Sequence, residues 1–270
     1  MSNSKGTALI TGASRGIGAV YADRLARRGH DLVLVARNAA RLNALAANLA
    51  RETGRTVDVL PADLNDKADL AKVEARLRED RTITMLVNNA GIAAITPLVK
   101  SDVDEMEAMI ELNITALTRL TYAAAPAFAA RGAGTIINIA SIVGISPEAL
   151  NGVYGASKAY VIALSHSLQH ELGDQGIRVQ AVLPGATATD LWELAGRPWQ
   201  QLPAGIVMSA EDMVDAALAG LDQGERVTIP GLQDGEEWNR FEAARRALAQ
   251  RFGNSQPAPR YRATATANAD

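Results

Sequence analysis

The chain contains no cysteine. That absence excludes a disulfide framework, a thiolate nucleophile and any cysteine-ligated metal. An excess of one charge is also missing. Lys and Arg number 27 against 30 Asp and Glu, for a net charge of −3, so there is no basic footprint for nucleic acid or a membrane surface. The longest apolar runs are strand-length, short of the ~20 residues that span a bilayer. Met1–Gly6 lacks the charged-then-apolar start of a secretory signal. These absences describe a soluble, cytoplasmic globular protein with no nucleic-acid or membrane partner. At 270 residues the chain is long enough for a full core without staples.

What is present is alternation. Strand candidates fall at Ala8–Ile10, Leu32–Val35, Val57–Leu60, Met85–Val87, Thr135–Ile139, Val179–Leu183 and Val227–Ile229. Most are apolar at consecutive positions, as parallel strands covered on both faces require. Between them lie amphipathic stretches, with Leu42, Leu45 and Leu49 on one helical face and Leu70, Val73 and Leu77 on another. Asp102–Arg131 and Gly152–Leu172 read as long helices. Gly29 and Gly54 sit where helices end, and Ser209 with Asp212 reads as an N-terminal cap. Strands alternating with helices fit a doubly wound parallel sheet or an eight-stranded barrel. A glycine-rich turn directly after the first strand decides for the doubly wound (Rossmann) sheet. The expectation is an α/β fold of about seven strands with helices on both faces, forming a single domain over 1–253. The Pro-, Ala- and Thr-rich stretch 254–270 reads as a flexible tail.

That first turn is Thr11-Gly12-Ala13-Ser14-Arg15-Gly16-Ile17-Gly18, between a strand and a helix. Its glycines allow a tight turn and close approach of backbone to pyrophosphate, and the following helix offers free N–H groups to phosphate. No Gly-Lys-Ser/Thr follows, which argues against an ATP-type phosphate loop. Further on stand Asn88-Asn89-Ala90-Gly91, Asn113, Ser141, Tyr154-Gly155-Ala156-Ser157-Lys158, and Pro184-Gly185 with Thr189. In that order and spacing they resemble the short-chain dehydrogenase/reductase family in its common ~250-residue form. The resemblance covers about residues 5–230 and departs at no catalytic position.

The resemblance implies roles. Tyr154 would be the general acid/base, Ser141 a second donor to the same oxygen, and Lys158 the cation that favours the phenolate. Asn113 would join a water-linked proton path through Lys158. Elementary chemistry supports this: residues four apart share a helix face, and a free tyrosine at pKa ~10 needs lowering to act as a base near neutrality. The dinucleotide would be held by Gly12, Ser14, Arg15, Gly16, Ile17, Gly18, Asp63 at the adenine, and Leu64. Asn89, Ala90, Gly91, Tyr154, Lys158, Pro184, Gly185, Thr187 and Thr189 complete that set. Asn88 is read as tying strands together rather than touching substrate.

Coenzyme choice follows from the second strand. An NAD enzyme of this fold places Asp or Glu at its end, but here Leu34-Val35-Ala36-Arg37 puts a cation there. Asp31 begins the strand and cannot serve. Arg37, with Arg15, therefore points to a 2′-phosphate and NADP(H). Around the reacting carbon the resemblance places Ile92–Ile95, Val143–Leu150 and Ala186–Trp199. The candidate substrate contacts are Ser141, Val143, Glu148, Tyr154, Trp192 and Trp199, and Ala186–Val207 is an irregular lid. The residues suit a medium-sized, largely apolar ketone or aldehyde, with no basic cluster for a phosphate or carboxylate. The function expected is an NADPH-dependent carbonyl reductase, reversible as an alcohol dehydrogenase, and assembled as a homotetramer or else a homodimer. Two rivals stay open: a sugar-nucleotide epimerase or dehydratase, and a dinucleotide-sensing regulatory protein without turnover. No metal is expected, since His166 and His170 lack an intervening Glu and a third ligand. Glu236–Arg251 reads as an amphipathic helix burying Trp238, Phe241, Ala244 and Leu248.

Overall fold

A computed structural model describes residues 4–262. The chain divides into two compact units, up to Gly231 and from Leu232 onward. The first holds all seven strands, in the order β3-β2-β1-β4-β5-β6-β7 and parallel throughout. They are β1 (Thr7–Thr11), β2 (Asp31–Ala36), β3 (Val57–Pro61), β4 (Ile83–Asn88), β5 (Gly134–Ile139), β6 (Ile177–Val182) and β7 (Val227–Thr228). The helices are α1 (Gly16–Arg27), α2 (Ala39–Thr53), α3 (Lys67–Glu79), α4 (Val103–Ile110), α5 (Leu117–Arg131), α6 (Gly152–Leu172), α7 (Leu191–Leu194) and α8 (Ala210–Asp222). Each expected strand is found, and this is the doubly wound fold. Among the described residues, no helix is long and apolar enough to cross a membrane.

Consecutive apolar residues in the strands are explained by the two cores. Successive side chains of a strand point to opposite faces. Ala8 and Ile10 of β1 enter one core with Tyr21 and Leu25 of α1, Leu42 of α2 and Val214 of α8. Leu9, between them, enters the other with Val73 of α3, Phe128 of α5 and Leu168 of α6. A strand that must satisfy both cores is apolar at consecutive positions, as Ala8, Leu9 and Ile10 are.

The long helix expected over Asp102–Arg131 is not uniform. α4 and α5 are joined by a π-helical turn, Glu111–Ala116, that carries Asn113. A π turn holds more residues than an α turn, and the 3.6-residue pattern gives no warning of it. Several polar residues inside the fold pair with one another. Asn88 at the end of β4 donates to Thr121 Oγ1 at 3.1 Å and to Asn138 Oδ1 at 2.9 Å, while Asn138 donates to Ser165 Oγ of α6 at 3.0 Å. Asn88 thus ties two strands to the helices that cover them.

The second unit contains α9 (Gly235–Ala249), capped by Asp234, whose Oδ1 accepts from Glu236 N at 3.0 Å. Trp238 and Phe241 pack with ring centroids 5.2 Å apart. The expectation that this helix buries an apolar side is corrected. Phe241, Ala244 and Leu248 are exposed, and Glu242 is the buried residue, held by Arg245 at 2.9 Å. Periodicity tells which residues share a face, but not whether another surface covers it. Of the expected tail, residues 254–262 include a 3₁₀ turn at Pro259–Tyr261, and the remainder lies outside the described residues.

Candidate active site

The order of the sheet reverses between β1 and β4, which is where ligands bind in open parallel sheets. Here the two strand ends are stitched. Thr11 Oγ1 accepts from Asn89 N and Ala90 N, both at 3.0 Å, and Asn89 Nδ2 donates to Thr11 O at 2.8 Å. The approach leaves no room for a side chain at Gly12 or Gly18. Gly12 has φ +66, and a methyl group there would meet Asn89 Nδ2 at 2.8 Å and Ala90 Cα at 2.9 Å. One on Gly18 would lie 2.4 Å from Gly12 O. Sequence reasoning missed the task of Thr11, whose only signal was its place just before the first glycine.

The N-terminus of α1 opens on this crevice with no side-chain cap and no acidic residue in its first turn. By contrast, α2, α3, α4, α6, α8 and α9 are each capped by an Asn, Asp or Ser side chain. Free N–H groups and an uncompensated helix dipole suit a pyrophosphate. Ser14 and Ile17 are half-buried on the turn. Arg37 follows β2, largely exposed, with Nη1 at 4.0 Å from Asp63 Oδ2. Leu64, next to Asp63, is buried in the second core. Arg15 is held by Asp190 Oδ2 at 3.1 Å. The residues present therefore fit a dinucleotide with an extra phosphate near Arg37.

Beyond the crevice the catalytic candidates converge. Tyr154 and Lys158, one turn apart on α6, are both buried, with Lys158 Nζ 5.8 Å from the Tyr154 ring centre. Lys158 donates to Ile139 O at 2.9 Å. Ser141 lies just past β5, where its Oγ donates to Pro184 O at 3.3 Å and accepts from Val143 N at 3.3 Å. Asn113 Nδ2 donates to Ile92 O at 2.9 Å and Ser157 Oγ at 3.1 Å, and Oδ1 accepts from Ile92 N at 3.0 Å. Gly91 keeps the centre open, since a methyl there would lie 3.0 Å from Asn113 Oδ1 and 3.6 Å from Lys158 Nζ. Asn151, unsuspected from sequence, caps α6 through Val153 N at 2.8 Å and reaches Thr96 O at 2.6 Å.

The electrostatics differ from expectation. Burial pushes the Tyr154 phenol up to about 12, opposed only by the Ser141 side chain. The Lys158 ammonium is hydrogen-bonded to the Ile139 carbonyl rather than to the phenol. Burial also pulls Lys158 down to about 8. Both shifts have one cause, a dry site that disfavours charge.

The substrate candidates separate. Val143 packs with Met106, Met109 and Tyr154, joined by Leu150 and Ile92. Leu150 also lines a cleft of about 490 Å³ together with Ile95, Ala186, Trp192 and Arg197. Trp199 and Glu148 are not on that lining; Glu148 sits exposed on the turn Pro147–Ala149. The segment expected to be an irregular lid is more ordered than that. It contains α7 and 3₁₀ turns at Trp199–Gln201 and Ala204–Ile206, and a bridge between buried Thr187 and Met208 closes its base. Gly185 accepts from Thr187 Oγ1 at 3.2 Å, and the Thr189 methyl lies 3.2 Å from where a Gly16 Cβ would be.

The model of the short chain dehydrogenase family matches residues 6–198. The chain belongs to that family. A short-chain dehydrogenase from Sphingobium yanoikuyae, solved in complex with NADPH, is 52% identical, with a TM-score of 0.93 over 95% of this chain and 100% of that one. The bulky-bulky ketone specific alcohol dehydrogenase from Comamonas testosteroni is 47% identical, with a TM-score of 0.89 over 96% and 99% of the two chains. An uncharacterised oxidoreductase of Staphylococcus epidermidis is 32% identical over 82% of this chain and 93% of its own. As a short-chain dehydrogenase the protein is an oxidoreductase.

The shift of Lys158 from 10.5 to about 8 corresponds to a stability cost on the order of 3 kcal/mol. Below pH 8 both folded and unfolded chains hold the proton and the full penalty applies. Between about 8 and 10.5 only the unfolded chain holds it, so stability rises with pH there. Lys158→Met should therefore keep or raise the melting temperature at pH 7 and flatten its rise above pH 8. Thermal denaturation across that range is the check, and a melting temperature several degrees lower at pH 7 would contradict it.

Proposed function

We propose that the protein is an NADP(H)-dependent carbonyl reductase, reversible as an alcohol dehydrogenase, acting on medium-sized, largely apolar ketones or aldehydes. The observation that carries this is the dry meeting of Ser141, Tyr154 and Lys158 beside an apolar cleft that shares Leu150 with the Tyr154 cluster. The NADPH complex of the Sphingobium relative and the ketone specificity of the Comamonas enzyme support it.

With its phenol at about 12, Tyr154 is a proton donor throughout the neutral range. It gives that proton to the carbonyl oxygen, and Ser141 Oγ donates to the same atom, so two donors meet the charge that develops there. Lys158, a buried cation with no carboxylate partner among the described residues, stabilises Tyr154 as the proton leaves. Asn113, fixed between Ile92 and Ser157, lines the route by which Lys158 returns it. NADPH supplies the hydride when bound. In the reverse direction Tyr154 takes the proton from the alcohol.

Tyr154→Phe should lower kcat by ~10²-fold or more while leaving coenzyme binding unchanged. In the wild type, kcat/KM for reduction should be level below pH 8 and fall above it, as Lys158 loses its proton. Steady-state kinetics across pH test both, and more than a tenth of wild-type kcat in Tyr154→Phe would overturn the assignment.

Coenzyme preference rests on Arg37, since no acid ends β2. A hydrogen bond to a charged group is worth roughly 1.5–3 kcal/mol, and each 1.4 kcal/mol is about tenfold. NADPH should exceed NADH by at least ~10-fold in kcat/KM. Ala36→Asp with Arg37→Ala should erase or reverse that preference. Equal wild-type values for the two coenzymes would show that Arg37 does not read a phosphate.

We infer a cytoplasmic homotetramer as the working form, with a homodimer as the smaller alternative. Leu98, Val99, Val103 and Tyr122, on and beside α4 and α5, are 70% or more exposed, an apolar surface suited to a second subunit. Light scattering should give a multiple of 28.5 kDa at micromolar concentration. A monomer would overturn the assembly, and recovery in membrane or secreted fractions would overturn the compartment.

A further inference from the structure

Arg197 stands apart in the substrate cleft. Of the ten residues that line it, Arg197 is the one ionisable group, and the neighbouring walls are Ile95, Leu150, Trp192, Leu202 and Ile206. Asn151, the other polar side chain there, is already committed to Thr96 O and Val153 N. Arg197 is held in place by its backbone, whose N–H donates to Trp192 O at 2.9 Å and closes the turn after α7. Its guanidinium makes a single hydrogen bond, to Gln201 O at 3.3 Å, and no ion pair among the described residues. The other arginine that meets this segment, Arg15, has Asp190 as its carboxylate.

A guanidinium offers five N–H donors in a planar fork that matches a carboxylate. Most of that fork is uncommitted here. The side chain is exposed to solvent and its cleft neighbours are apolar. Leu150 connects the cleft to the Tyr154 cluster. A substrate with its carbonyl at Tyr154 would lay an apolar body along the cleft and bring its far end to Arg197. One cation with no second basic group beside it suits a monoanion rather than a phosphate dianion.

We propose that Arg197 is a specificity-determining residue that binds a remote carboxylate, so that the preferred substrates are apolar oxo acids. This rests on the carbonyl-reductase reading of the same site, and the experiment separates the two. A short series of phenyl ketones bearing a terminal carboxylate on polymethylene spacers is assayed with NADPH, each against its methyl ester, using the wild type, Arg197→Gln and Arg197→Lys. For the best spacer, the wild type should favour the acid over its ester by about tenfold in kcat/KM, mostly through KM. Arg197→Gln should bring the acid down to its ester while the ester changes by less than about twofold, and Arg197→Lys should keep part of the preference because the charge remains. Equal rates for acid and ester across the series overturn the proposal but leave the carbonyl reductase standing. A loss in Arg197→Gln that falls equally on acid and ester also overturns it, marking Arg197 as a structural part of the turn. No reduction of any ester or acid overturns both readings.

Discussion

Everything at the site depends on how closely the ends of β1 and β4 approach each other. Parallel strands that diverge to opposite sides of a sheet leave a crevice between their carboxyl ends. In this protein Thr11 and Asn89 draw that crevice tight with side-chain to backbone bonds on both strands. The glycines at 12 and 18 follow from that spacing, since the distances leave no space for a Cβ. So does the exposed start of α1, which is brought to the crevice mouth without a side chain of its own to cap it. The same tightness carries Gly91 against Asn113 and Lys158, linking the phosphate-binding end of the site to its chemical end.

Dryness is the second organising condition, and it acts in two directions. It keeps the Tyr154 proton in place and so makes a good donor of a phenol. It also makes the Lys158 ammonium costly, with a backbone carbonyl as its partner rather than a carboxylate. A carboxylate beside Lys158 would relieve that cost, but it would also neutralise the field that Tyr154 needs when its proton leaves. The fold meets the cost elsewhere, through strands buried on both faces and through the hydrogen-bonded chain Asn88–Asn138–Ser165 that holds α6 against the sheet.

Most of the fold was legible in the sequence because a doubly covered parallel strand has an unmistakable composition. Val33, Leu34 and Val35 in succession can sit only where both faces are dry. The placement of Ser141, Tyr154 and Lys158 was legible for another reason, a fixed order of short motifs. What escaped depends on distant parts of the chain or on local geometry that periodicity does not encode. The π turn at Asn113 keeps the same apolar content as an α-helix. The bridge between Thr187 and Met208 joins residues far apart in sequence and turns an irregular stretch into a closed loop. Arg197 was hidden in a segment that reads as mostly apolar, because composition does not say which side chain meets a cavity. Trp199, prominent in the sequence, lies off the cleft for the same reason. The apolar stripe of α9 was visible too, but its burial was not, since Phe241 and Leu248 stand in solvent.

The π turn has a consequence for how this chain can vary. Such a turn is an α-helix with a residue too many, so its shape is set by the number of residues rather than by their identity. Substitutions between Glu111 and Ala116 leave that number alone. The loss of one codon does not: it would let the turn close up to ordinary α-helix, with the flanking turns keeping their phase because the bulge is what absorbs the extra residue. Met106 and Met109 would stay in the Tyr154 cluster and Leu117 and Leu120 in the core, but the widened turn that carries Asn113 would be gone. Apart from Asn113, this stretch is therefore lenient about spelling and strict about counting, and insertions or deletions belong in the loops before α4 and after α5.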